Sequence, residues 1–395
     1  TFILSAGNGL LITLITVRAS REGFGPTLIG LIGTSYFLGF LLGTLVATQL
    51  IRMVGQIRVF AALAALAAAG TLVLLLKIEP ITWMCARFVM GFCFAGLFTA
   101  IESWMNGAAS NEARGRVLAI YSLVDLLAAT GSQLLLPVLG ADGFVSLAVV
   151  AMLLSLSLVP IAITPASAPA EVRSISLRFW QVWRISPLAF VGCFVVGLTN
   201  SAFRTVGPLY ANDIGLGISG MAFFMSAGIA GGAILQMPLG WLSDRTDRRT
   251  TMLIATGCAS IAGLVLTLLP TGGNPYYAYG GVLVFGAFAM PLYSLSAAHA
   301  NDFAKPGEYA LVSAGLLFTY AVGATAGPTL GSLAVERFGP PALFTYIAIV
   351  HGSLVAWALV RMMARPTVPR AERGKYKPEL RMSPTAAGMR PEERA

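Results

Sequence analysis

Apolar stretches long enough to cross a bilayer recur along almost the whole chain, and no other feature of the sequence constrains the fold as hard. A crossing helix needs about 20 apolar residues. A window of that length finds 1–17, 27–50, 58–77, 81–107, 116–139, 143–163, 187–211, 218–242, 250–269, 276–301, 309–333 and 341–363. Lipid cannot hydrogen-bond the backbone, so each run has to be a helix that closes its own bonds. The expectation is an all-α membrane protein of twelve transmembrane helices. Composition agrees, since 11% of the residues are charged and 56% are hydrophobic, against about 25% charged in a soluble domain.

Most connections are short, which makes successive helices antiparallel neighbours. The exception is TPASAPAEVRSISLRFWQVWRIS, residues 164–186. It is rich in Pro, Ala and Ser, then basic and amphipathic, with Phe179, Trp180 and Trp183 beside Arg178 and Arg184. It divides the chain into an N-terminal six-helix bundle (1–163), a cytoplasmic linker on the membrane surface (164–186) and a C-terminal six-helix bundle (187–363). The polar tail 364–395 is expected to be disordered. The halves repeat one another: the basic turn RMVGQIR (52–58) returns as DRTDRRT (244–250), and Trp104-Met-Asn106 returns as His299-Ala-Asn301. Two pseudo-symmetric bundles place a transport site at the midplane between them.

An even number of spans puts both termini on one side. That side carries Arg52, Arg58, Arg114, Arg116, Arg173, Arg178, Arg184, Arg245, Arg248, Arg249, Lys305 and the basic tail from Arg361; the other carries Arg18, Arg21, Lys77 and Arg337. Basic residues are retained in cytoplasmic loops, so both termini are expected in the cytoplasm, in a bacterial-type plasma (inner) membrane. The same bias accounts for the net charge of +9. No basic stretch interleaved with aromatics suggests nucleic acid as a partner. Cys85, Cys93, Cys193 and Cys258 fall in apolar spans without metal-like spacing and are expected to pack in the core. The chain opens at Thr1 inside an apolar run with no cleavable signal, so a few residues are expected to precede it.

Over the whole chain the residues resemble the major facilitator superfamily. PLGWLSDRTDRR (238–249) is similar to its signature after span 8, with Gly240, Asp244, Arg245, Arg248 and Arg249 in pattern and Asp247 at the second Gly position. The first-half counterpart keeps Gly55 and Arg58, but Arg52 stands where the aspartate belongs. Arg87 followed by Gly91 resembles the span-4 signature, and RGR (114–116) opens span 5 as expected. Gly323, Gly327, Pro328 and Gly331 resemble an antiporter motif, placed in span 11 rather than span 5. PLYSLSAAHAND (291–302) is similar to a bacterial branch whose substrates are mostly unassigned. The resemblance implies two six-helix bundles working by alternating access.

Charges inside spans are the candidates for chemistry, because each costs at least ~2.5–3.5 kcal/mol on insertion scales and normally faces a bundle interior or wet cavity. Arg87 and Glu102 share one broad face of span 4, with Gly91, Ala95 and Phe98 between them. Arg87 and Arg204 lie at similar depth in the two halves. They either grip an anionic group bidentately or merely fix packing. Asp125 is the acid deepest in the hydrocarbon and either carries a proton or sits in a fixed pair with Arg87 or Arg116. Glu102 reads as a gate partner of Arg52, Arg58 or Arg116 ahead of a proton site. His299 is either a titrating group or a hydrogen-bonded helix end. Asp244, Arg248 and Asp302 read as gate pairs. Asn8, Tyr36, Asn200, Gln236, Tyr293 and Tyr320 fall in spans that line the cavity in the superfamily, and are either cavity contacts or interhelical hydrogen bonds. Gly39/Gly43, Gly228/Gly232 and Gly327/Gly331 read as close helix contacts.

There is no P-loop, since Gly374-Lys375 lies in the tail, and no zinc motif or nucleophile elbow. The chain is expected to be no enzyme and to need neither cofactor nor metal. The leading expectation is proton-coupled export (antiport) of a small organic solute by a monomer in the bilayer. Proton-coupled uptake comes second, and a non-transporting sensor or lipid-handling protein on the same scaffold third.

Overall fold

The computed structural model describes residues 1–108, 114–142, 144–163, 179–270, 272–305, 308–364, 367–369 and 373–376; the side chains of 106–108, 114–116, 118 and 119 are outside that description. Twelve segments are long and apolar enough to cross a membrane. They are α1 (Phe2–Arg21), α2 (Pro26–Val54), α3 (Gln56–Leu76), α4 (Pro80–Met105), α5 (Ile120–Leu139), α6 (Val145–Ala162), α7 (Pro187–Asp213), α8 (Gly217–Arg245), α9 (Arg248–Thr267), α10 (Pro275–Asn301), α11 (Tyr309–Phe338) and α12 (Ala342–Ala364). Single turns interrupt α5 at Leu134–Leu135, α6 at Ser157–Leu158 and α10 at Met290–Pro291. The twelve predicted spans are all present, displaced at their ends by a few residues. Helices outrun the apolar window: Arg18 belongs to α1, buried and paired with Glu22 at 3.5 Å, while Arg52 and Arg58 belong to α2 and α3.

The packing repeats with a shift of six helices. α2 packs on α4 as α8 does on α10, α1 on α5 as α7 on α11, and α3 on α6 as α9 on α12. Between the halves, α2 meets α11 and α5 meets α8. The repeat extends to single glycines. A Cβ on Gly39 would lie 1.9 Å from the Phe88 carbonyl oxygen, and one on Gly91 1.9 Å from that of Tyr36; the α8–α10 contact has Gly231 at 2.1 Å from Leu283 O and Gly286 at 1.8 Å from Gly228 O. Small residues let backbones touch, which is how helices associate without a hydrophobic driving force in lipid. The α4 face through Gly91 and Ala95 therefore turns to α2, away from lipid. Cys93 and Cys193 are buried, but Cys85 is exposed on α4 and corrects the expectation that all four cysteines pack in the core.

One end of the bundle carries the basic turns between α2 and α3 and between α8 and α9, and is called the basic end here. At the far end the halves are stitched together. Thr16 Oγ1 donates to Thr205 O at 2.8 Å, Thr34 Oγ1 to Thr325 O at 2.8 Å, and Ser226 Oγ to Thr130 O at 3.1 Å; Thr27 N donates to Glu336 at 3.0 Å. Every one lies in the far-end part of its helices. These bonds tie the two halves together, and the structure is closed at the far end.

The short helix Phe179–Ile185 precedes α7. Val182 is buried against Gly315, and Trp183 stacks near Trp357 at 6.1 Å. Residues 164–178 of the expected linker lie outside the described residues. From the tail, Arg373–Tyr376 packs on the α8–α9 turn, where disorder was expected.

Candidate substrate cavity and gates

A cavity of ≈ 440 Å³ lies between the halves at mid-depth. Clefts of this size accept small organic ligands. Ser5 and Asn8 of α1, Tyr36, Phe37 and Phe40 of α2, Phe98 of α4, and Ser122 and Asp125 of α5 line one side. Arg204 of α7, Gln236 and Met237 of α8, Met290 and Ser294 of α10, and Tyr320 of α11 line the other. Six of the residues named from sequence thus meet in one space: Asp125, Arg204, Asn8, Tyr36, Gln236 and Tyr320.

Arg87 stands one layer back. Its guanidinium carbon lies 4.2 Å from the centre of the Tyr36 ring, and that ring's hydroxyl donates to Asn8 Oδ1 at 3.1 Å. Arg87 is 3% exposed, and its Nε and Nη1 have no hydrogen-bond partner. Among the described residues it makes no ion pair, so the expected pairing with Asp125 is not formed. A cation over a ring gains ~2 kcal/mol once desolvated, less than a buried charge costs. Tyr36 is the wall between this charge and the cavity.

Other candidates fall elsewhere. Asn200 is fully buried outside the cavity lining, with neither amide atom hydrogen-bonded. Tyr293 lies behind Tyr320, ring centres 5.6 Å apart. Glu102 is fully buried and accepts from the Tyr121 hydroxyl at 3.3 Å. The expected partners Arg52 and Arg58 are exposed and form no ion pair among the described residues, so that part of the gate expectation is corrected. The physical reason is that both have left the α4 face, one at each side of Gly55, for solvent. The side chains of Arg114 and Arg116 lie outside the described residues. His299 is buried edge-on against Phe303, in a narrow crevice with Ser186, Arg249 and Arg361 rather than in the cavity. Sequence reading did not single out Ser5, Ser122, Ser294, Phe37, Phe40, Met237 or Met290. Nothing in their residue types separates cavity from core; only helical spacing from Asn8, Tyr36 and Asp125 could have found them.

At the basic end the C-terminal half keeps its charges within itself. Arg248, 2% exposed, pairs with Asp302 at 2.6 Å and Asp244 at 3.2 Å. It also donates to Ser243 at 3.2 Å and to the Gly374 carbonyl. Burial pushes the Asp302 carboxyl above the usual aspartate range, with Arg248 holding the rise back. Asp247 caps α9 by accepting from Arg249 N. Burial opposes its ionisation, but hydrogen bonds from Arg249 outweigh burial and hold the carboxyl below its ordinary value. Arg245 points outward over Trp241 at 3.7 Å.

A pseudo-twofold pair of six-helix bundles, closed at one end over a mixed polar and aromatic cavity, defines a secondary transporter that works by alternating access. The chain belongs to the major facilitator superfamily, whose family model matches residues 1–315. A relative in Enterobacter sp. (strain 638), named an uncharacterised MFS-type transporter, is 27% identical over 92% of this chain and 94% of its own. YcaD of Escherichia fergusonii, also named an uncharacterised MFS-type transporter, is 27% identical over 88% of this chain and 90% of its own. Among solved structures, the nucleoside transporter NupG superposes with a TM-score of 0.77 at 14% identity, covering 92% of this chain and 96% of NupG. A bacterial homologue of the lysosomal transporter Spinster, inward-facing and occupied, gives 0.75 at 13% identity, covering 94% and 96%. At such identities these two likenesses concern the fold.

Proposed function

We propose that the protein couples protons to the movement of a small organic solute, with Asp125 as the carrier and both termini in the cytoplasm. The observation that carries this is Asp125 on the cavity wall, the sole acid among the described lining residues. A carrier has to meet both the solute and a proton route. Tyr121, one helical turn from Asp125, donates to Glu102, which supports a route towards the basic end. With that end cytoplasmic, the far-end seal makes this the inward-facing state.

Exchange of proton against solute, the export expected from sequence, requires the two to compete. Symport requires them to favour each other. An uncompensated Arg204 across the cavity supports symport and hence uptake, because a group attracted to Arg204 gains when Asp125 is neutral. The test is pH-gradient-driven uptake into liposomes, followed with a lumenal pH dye across a panel of organic acids, neutral solutes and amines. Symport acidifies the lumen when solute enters, antiport makes it alkaline, and no pH change with any solute would refute proton coupling.

A further inference from the structure

We propose that the solute is an organic anion with an aromatic or apolar body, its anionic group held by Arg204. This rests on the cavity being the transport site. Among the described residues Arg204 has no ion pair and no hydrogen bond, although it lines the cavity. Arg87 adds a second uncompensated guanidinium behind the Tyr36 ring. A guanidinium left without a partner on a cavity wall gains from an anion, and its planar fork matches a carboxylate. The two charges together disfavour a cationic solute. Phe40, Phe98 and Tyr320 line the same cavity and supply aromatic surface for the remainder of the molecule.

The test uses full-length purified protein in detergent and isothermal titration with 2-naphthoate, the amide 2-naphthamide and the amine 2-naphthylmethylamine. Naphthoate should bind at least about tenfold more tightly than either analogue, since the charged, forked hydrogen bond is lost in both. Arg204→Gln should abolish that preference, and Arg204→Lys should retain part of it; unchanged melting temperatures establish that both variants fold. Equal binding of the three probes, no binding of naphthoate, or naphthoate binding untouched by Arg204→Gln would overturn the assignment. Binding in detergent needs no gradient, so naphthoate that binds yet moves no protons in liposomes upholds the anion class and counts against proton coupling alone.

A second inference stands on separate observations: we infer that Arg373–Tyr376 is a clasp that restrains the α8–α9 turn. The Tyr376 backbone N–H bridges both Asp244 oxygens at 2.8 and 3.1 Å, Arg373 donates to Thr246 O at 2.5 Å, and the Gly374 carbonyl accepts from Arg248. The Tyr376 ring sits on Gly240, where an added Cβ would be 2.1 Å from Cδ1. The clasp thus occupies three of the turn's signature positions at once. Gly240→Ala and Tyr376→Ala should each expel it, read as faster labelling of a cysteine placed at Lys375. Both should also speed solute counterflow in liposomes severalfold. Release of the tail with counterflow unchanged, or no release in either variant, would overturn the clasp.

Discussion

Arg87→Met isolates the energetics of a charge without a partner. Methionine matches the length of the arginine stem, so the packing against α2 is largely kept. The wild-type guanidinium bears an insertion cost of at least ~2.5–3.5 kcal/mol. Its stacking on Tyr36 at 4.2 Å returns about 1–2 kcal/mol, and Nε and Nη1 return nothing through hydrogen bonds. The variant should therefore be more stable by roughly 1–2 kcal/mol, as when buried ion groups give way to apolar ones. Thermal unfolding in detergent should show a midpoint higher by about 1–2 °C. Adding 2-naphthoate should raise both midpoints alike, because its anionic group goes to Arg204 while Tyr36 separates Arg87 from the cavity. A lower midpoint for Arg87→Met would refute the reasoning and mean that the guanidinium is satisfied in the folded protein.

Asp125→Asn fixes the neutral form; it should abolish pH-driven accumulation in liposomes while leaving solute exchange intact, and full accumulation would remove Asp125 as carrier. Gly39→Ala forces a methyl into the Phe88 carbonyl and should cost about 1–3 kcal/mol in thermal unfolding, with Gly231→Ala its counterpart in the other half. Asp247 is held below its ordinary value of 3.8; its contribution to stability is present above pH ~4 and lost as pH falls through its folded value. Asp247→Asn should flatten the acid limb of the stability curve measured by fluorescence. Tags at 164–186 and at the C-terminus should be reached only from the cytoplasm, which impermeant labelling of intact cells checks.

The twelve spans and the two-bundle plan were legible because lipid leaves a helix no alternative, and apolar length is read directly from residue type. Asp125, Arg204 and Tyr36 were legible for the same reason, since polar groups in lipid need somewhere to go. Depth along a span could be counted, but azimuth could not. Arg87 and Tyr36 lie on different helices, and only their packing through Gly39 and Gly91 shows that one is behind the other. Asn200 shows the same limit, one turn from Arg204 yet outside the cavity. The partners of Arg248 include backbone of Gly374, a contact that no residue type announces.

The far-end seal consists mainly of hydroxyls on backbone carbonyls, with one carboxylate accepting from a backbone N–H. Each such bond in a membrane protein averages about 0.6 kcal/mol, so the set amounts to only a few times thermal energy. No ion pair joins the halves there among the described residues. Ionic strength therefore has little to act on at this end, whereas the basic end holds the buried pairs of Arg248 with Asp302 and Asp244. The two ends thus draw on different forces: hydroxyl-to-carbonyl bonds between the halves at one, and buried ion pairs inside one half at the other.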